Sequence, residues 1–206
     1  GDRAVNIADL HLSLTFHPLF NAKIGRFKKG FTHVYTPYWG TWNFFAAPKA
    51  FGYTKSKLGL AGRGEGLAFY GGTKSKKLKY FVGVFNGLEE ASPTKNAKGH
   101  GFTRSDNGLQ YLGRLEYRLF SLLKAGAGVT YLHNGKLTTE IPSVDTPDET
   151  IATKTDEDLL AYAFNLAFQW RGLRLEPEFI GTIILPESGN HTTGAGFYVD
   201  ALYRFG

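Results

Sequence analysis

Asp9, His11 and Ser13 bring the residue types of a hydrolytic triad close together. A serine nucleophile needs a base within hydrogen-bonding reach, and that base needs a carboxylate to orient it. Here the residues alternate along a stretch that reads as a strand, so same-face side chains stand ~7 Å apart, too far for a proton relay. No catalytic residue is expected, and the chain is not read as an enzyme. The six histidines lack ligand spacing such as i, i+4 on a helix, so neither a metal nor a cofactor is expected. Asp145, Asp148, Glu149, Asp156, Glu157 and Asp158 have the chemistry to hold Ca²⁺, but they read better as a solvated acidic loop. Gly62, Gly64 and Gly66 alternate along a strand, where small residues let a wall pack or bend rather than cradle phosphate.

The cations hold more of the chemistry. Arg63, Lys79, Arg114, Arg118, Lys124, Arg174 and Arg204 fall on the polar sides of strand-like stretches, interspersed with Asp9, Glu65, Glu116, Glu176, Glu178 and Asp200. Such nearly balanced ladders polarise a water-filled pore and stiffen its wall. A stronger excess lies in Lys23, Arg26, Lys28 and Lys29, and in Lys49, Lys55 and Lys57 of the stretch that follows. Were that stretch to dip into a lumen, its ammonium groups would replace part of an anion's hydration; solvated loop lysines are the plainer alternative. The candidate pore-lining and anion-binding residues are therefore Lys23, Arg26, Lys28, Arg63, Lys79, Arg114, Arg118, Lys124, Arg174 and Arg204. On this reading Arg114→Glu shifts selectivity toward cations.

Strands must position these side chains. In residues 159–170 one side is Leu160, Tyr162, Phe164, Leu166, Phe168 and Trp170, and the other is Ala161, Ala163, Asn165, Ala167 and Gln169. A helix capped at Thr155 competes for this stretch alone, with Leu160, Phe164 and Phe168 spaced by four. The rest of the chain favours strands. Residues 6–17 alternate Leu10, Leu12, Leu14 and Phe16 with Asp9, His11, Ser13, Thr15 and His17. Residues 22–31, 58–70, 78–86, 109–119, 124–132, 173–185 and 197–205 complete about nine strands. The connections alternate short and long, the long ones being 32–57, 87–107, 133–158 and a polar loop through Thr193. Lys74, Lys76 and Lys77 sit in a short one.

Among the 206 residues are 26 glycines, and aromatics make up 15%, which suits a β protein with many tight turns. With no cysteine there is neither a disulfide framework nor a thiolate site. No apolar run reaches the ~18 residues of a membrane helix, so any crossing of a bilayer is by strands. The net charge of +6 admits a solvated basic surface, an anion-attracting pore or nucleic-acid binding.

Short and long connections in alternation are how outer-membrane barrels are built. The apolar sides also carry aromatics at two heights: Phe16, Trp170, Tyr203 and Phe205 beside short turns, and Tyr111, Tyr131, Tyr162 and Phe197 beside long loops. Belts about eight residues apart, at ~3.3 Å per residue, match a tilted crossing of a ~25 Å apolar band. The expected fold is all-β, an antiparallel transmembrane β-barrel domain over residues 1–206 that faces outer-membrane lipid. An odd strand count and the absence of an initial methionine lead to the expectation of a processed or partial chain, with a further strand before Gly1. Nucleic acid is not expected as a partner, because the aromatics lie on uniformly apolar sides rather than beside lysines.

Several stretches resemble the phosphate-selective porin O and P family. Gly25-Arg26-Phe27-Lys28-Lys29-Gly30-Phe31 is similar to its Gly-x-Phe-Lys-x-x-Phe strand end, though Gly30 stands where the family has proline. Gly83-Val84-Phe85-Asn86-Gly87 is similar to another strand end, the most specific of these matches. Asp106-Asn107 with Leu112-Gly113-Arg114-Leu115-Glu116-Tyr117, the stretch Leu173-Arg174-Leu175-Glu176-Pro177-Glu178-Phe179, and Gly196-Phe197-Tyr198-Val199-Asp200-Ala201-Leu202-Tyr203 also resemble the family. The resemblance implies a homotrimeric outer-membrane channel of roughly sixteen strands, with loops folded inward to narrow a path for anions such as phosphate. This chain would supply a central section of such a barrel, or be a shortened relative. The family's arginine ladder has no residue-by-residue counterpart here.

Overall fold

The alternation of large apolar with small or charged residues produces strands throughout. In a computed structural model, residues 9–33, 58–86, 101–103, 108–142, 150–187 and 189–203 are described. Their strands are β1 (Leu10–His17), β2 (Phe20–Lys29), β3 (Gly62–Gly72), β4 (Leu78–Asn86), β5 (Gly101–Thr103), β6 (Leu109–Phe120), β7 (Leu123–Pro142), β8 (Thr150–Trp170), β9 (Leu173–Pro186) and β10 (Thr192–Tyr203). Nine of them form one antiparallel meander in the order β1-β2-β3-β4-β6-β7-β8-β9-β10, and β5 pairs with β7 off that path. Among the described residues the sheet is not closed, and β1 and β10 are its edges.

Tight turns join alternate strands. Between β8 and β9, Arg171 (φ 42°) and Gly172 (φ 87°) both take left-handed conformations, the two-residue turn whose twist matches an antiparallel hairpin. The Arg171 guanidinium lies over the Trp170 ring, 5.2 Å from its centroid. Between β3 and β4, the Thr73 amide donates to the Leu78 carbonyl and the Lys76 amide to that of Thr73.

Two stretches read as loops contain strand. Residues 133–158 are expected as one long polar loop, yet β7 runs on to Pro142 and β8 starts at Thr150, paired from Gly135↔Glu157 to Pro142↔Thr150. Their threonines and isoleucines favour extended backbone. The stretch is rich in polar residues, and its sequence lacks the strong apolar alternation by which strands are found. β5, within the expected loop 87–107, pairs with Lys136–Thr138 of the same extension. Conversely, β2 ends at Lys29 and β3 begins at Gly62, so residues 30–31 and 58–61 lie outside the strands assigned to them.

The two faces of the sheet differ in composition and exposure. Residues 30–33 and 58–61 lie across one face, here the inner one. Outward-pointing Phe164, Leu166 and Val199 are 54%, 45% and 54% exposed, whereas inward-pointing Arg114, Glu176 and Glu178 are 5%, 7% and 2% exposed. Phe16, Phe20 and Phe69 cluster on the outer side near the short turns, with Phe20 and Phe69 stacked at 5.4 Å.

The inner face has two zones. Toward the long connections it is apolar: Phe27, Phe85, Leu112, Leu132, Leu159 and Ile180 pack with Phe31, Leu58 and Leu60 from the crossing segment. Toward the short turns it carries Lys79, Arg118, Lys124 and Arg174. The sequence reading expects charges around water along the whole inner face, and the apolar zone corrects this. Inward Phe27, Phe85 and Leu112 are covered there by a segment whose path alternation does not reveal.

Candidate functional site

The described functional groups meet where residues 30–33 cross the inner face. At the end of β2 the Phe31 amide bonds back to the Lys29 carbonyl at 2.9 Å, which turns the chain inward. Arg114 on β6 meets it there. Its Nη1 donates to the Phe31 carbonyl at 3.0 Å and its Nη2 to Asn165 Oδ1 of β8 at 2.6 Å. Its Nε and Nη2 also contact Glu116 Oε1 at 3.2 and 3.1 Å. Two glycines of β7 make room: a Cβ at Gly128 would stand 2.6 Å from the Phe31 carbonyl oxygen, and one at Gly126 would stand 2.3 Å from Asn165 Oδ1. Because the atom opposing Gly128 is backbone, the segment could only lie this close over a residue without a side chain.

Farther along, the His33 amide donates to Glu178 Oε1 at 2.7 Å, and His33 Nε2 lies 3.1 Å from Glu176 Oε1. Glu176 also receives Arg174, at 2.7 Å from Nη2, and Tyr198 donates its hydroxyl to Glu178 Oε2. Acidic β9 and basic β6 thus hold opposite ends of one short crossing. The returning limb is tied as well, through Lys29 to the Gly59 carbonyl at 2.8 Å and Gln110 to the Leu60 carbonyl at 3.0 Å.

The candidate residues do not form one cluster. Lys79, Arg118 and Lys124 lie on the inner face near the short turns, with Arg118 directly opposite Lys124 in the β6–β7 register and Lys79 opposite Glu116 in β4–β6. Lys23 is also inward, its Nζ 5.4 Å from the Phe27 ring and 5.5 Å from the Tyr70 ring. Arg174 is inward and engaged with Glu176. Arg114 is inward but its side chain is only 3% exposed, so its charge serves the crossing segment rather than passing solute.

Three residues fall elsewhere. The β2–β3 register pairs Ile24 with Leu67, Arg26 with Glu65 and Lys28 with Arg63, so these pairs share the outer face by the two-residue period. The sequence reading groups Arg63 and Glu65 with the polar side; the register corrects it. Arg26 and Glu65 form an ion pair at 3.7 Å. Arg63 holds Asp9 through both carboxylate oxygens, and this hydrogen bonding keeps the Asp9 carboxyl below its ordinary pKa range. Arg204, Lys49, Lys55 and Lys57 lie outside the described residues, as do Asp145, Asp148 and Glu149.

Sequence reasoning missed Lys29, Gln110 and His33 as the groups that fasten the crossing. The one available signal was Lys29 itself, a cation at an inward position between Phe27 and Phe31. No family model matches the chain, and neither does any curated protein or solved structure. Among the described residues no group of three or more histidines and acids is arranged to hold a metal ion. The arrangement does two things chemically. It fixes residues 30–33 and 58–61 across the inner face, and Lys79, Arg118 and Lys124 lie on that face near the short turns.

Proposed function

We propose that the chain forms wall of a bacterial outer-membrane channel through which small hydrophilic solutes diffuse, with a moderate preference for anions such as phosphate. The observation that carries the reading is the inverted burial: Phe164, Leu166 and Val199 half exposed on one side, Arg114 and Glu176 buried on the other. In water that outer face would be an apolar patch far beyond what a monomer tolerates; against lipid it is a matched surface. A membrane barrel leaves no edge open, so β1 and β10 must each be paired, with one another or with strands beyond those described. The resemblance to the phosphate-selective porins supports a homotrimer and the inward course of the segment after β2. Anion preference rests on Lys79, Arg118 and Lys124, inner-face cations with Glu116 the acid nearest to them in register.

A soluble protein binding single-stranded nucleic acid would place its aromatics among lysines on an exposed face. Here exposed Tyr111, Tyr117, Phe164 and Phe197 stand among Leu115, Val129, Leu166 and Val199. A lipid-modifying enzyme would need a triad in hydrogen-bonding contact, and Asp9 is instead held by Arg63. Planar-bilayer recording tests the proposal: discrete conductance steps are expected, with a reversal potential in a KCl gradient that favours chloride. An impermeable protein would overturn the channel, and a clear cation preference would overturn the anion part.

A further inference from the structure

Lys29 is 0% exposed, among the largest fully buried side chains described. It ends β2, and its stem lies flat over Gly64 of β3, where a Cβ would stand 3.1 Å from its Cδ. That passage brings Nζ to β6, where it donates to Gln110 Oε1 at 2.7 Å, and to the returning limb, where it donates to the Gly59 carbonyl at 2.8 Å. Gln110 is oriented from its other side: Nε2 donates to the Leu60 carbonyl at 3.0 Å and to Thr130 Oγ1 at 2.8 Å, while that hydroxyl donates to the Tyr111 carbonyl at 2.9 Å. The amide therefore turns its oxygen to the ammonium and its nitrogen to the limb. Phe27, Phe85, Leu58 and Leu60 surround the arrangement with apolar side chains.

We propose that Lys29, oriented through Gln110, is a positioning residue that clasps residues 58–61 to the inner wall beside residues 30–33. Resting on the channel reading, the proposal adds that this clasp sets the width of the path. Pulling the Gly59–Leu60 limb away removes an acceptor from a buried ammonium within an apolar cluster, where a lost partner is expensive. The limb is held in place by the loss of that buried hydrogen bond on moving away. Lys29 accordingly fixes geometry and does not bind solute.

The chain has no cysteine, so a single Leu60→Cys reports on the limb without interference. Leu60 is 0% exposed, and in otherwise wild-type protein the thiol is expected to react slowly with a water-soluble maleimide. Lys29→Met keeps the stem and removes the ammonium. Gln110→Leu removes the support without touching the charge, and it carries the test if Lys29→Met fails to fold. In vesicle-reconstituted protein with wild-type circular dichroism, either change is expected to speed labelling about tenfold or more, since hydrogen bonds to charged groups are the strong ones. Single-channel conductance should rise about twofold as the path widens. Unchanged labelling in both folded variants would overturn the clasp. Faster labelling with unchanged conductance would overturn its role in setting the path. A wild-type protein that does not conduct would instead overturn the channel reading, and the labelling rates would still decide the clasp.

Discussion

Phe164→Arg is expected to cost about 2–4 kcal/mol of stability in a bilayer and to leave most of the protein unable to insert. Phe164 lies within β8 on the outer face, opposite Ala127 of β7 and Phe179 of β9. Held against lipid, a guanidinium there would lose its hydration with no acceptor within reach. The cost depends on depth. Phe120, 70% exposed beside the β6–β7 turn, should accept arginine for about 0–1 kcal/mol, because near the interface the charge reaches water. Were the outer face in water instead, Phe164→Arg would be nearly neutral and would improve solubility. Folding into phosphatidylcholine vesicles, followed by urea titration and gel migration without heating, distinguishes the two cases.

Arg114→Glu is expected to unfold or severely destabilise the protein, by about 3–5 kcal/mol, rather than to alter its selectivity. From sequence the same change is expected to shift selectivity toward cations, because Arg114 alternates onto the polar side with Glu116 and Arg118. The structure gives the guanidinium three internal engagements, with the Phe31 carbonyl, Asn165 and Glu116. Glutamate there would leave two acceptors without a donor and bring a second carboxylate against Glu116, all within a buried site. The selectivity effect belongs to Lys124, which is exposed on the inner face. Lys124→Glu should keep the fold and move the reversal potential toward cations. Urea midpoints and reversal potentials of the two variants, measured together, check the division. A stable Arg114→Glu protein with shifted selectivity would refute it.

Residues 159–170 show how much of the fold was legible. Alternation alone separates Leu160, Tyr162, Phe164 and Leu166 from Ala161, Ala163 and Asn165, and the structure places these sets on opposite faces. The short turns were equally legible, because Arg171-Gly172 and Pro18-Leu19 interrupt that period with turn chemistry. Alternation says less where strands end. Lys28 and Lys29 are adjacent lysines in a basic run, yet register sends Lys29 inward to zero exposure and pairs Lys28 with Arg63 on the other face. A one-residue difference reverses the environment of a charge, and in a run of lysines and arginines that alternation is easily overlooked. The crossing segment was illegible for a related reason. Its contacts run from Lys29 to Gln110 and from His33 to Glu178, across more of the chain than any local pattern spans. The extended β7–β8 hairpin was missed because a strand of mostly polar residues reads like a loop in sequence.

Electron paramagnetic resonance of nitroxides placed one at a time at Phe164, Asn165 and Leu166 tests most directly whether the outer face meets lipid, and a cysteine-free chain makes each label unique. In reconstituted vesicles, labels at 164 and 166 should relax strongly with dissolved oxygen and weakly with a water-soluble nickel chelate, while the label at 165 should be shielded from oxygen. Labels at 164 and 166 that respond mainly to the nickel chelate, or that are immobile and inaccessible to both reagents, would contradict it.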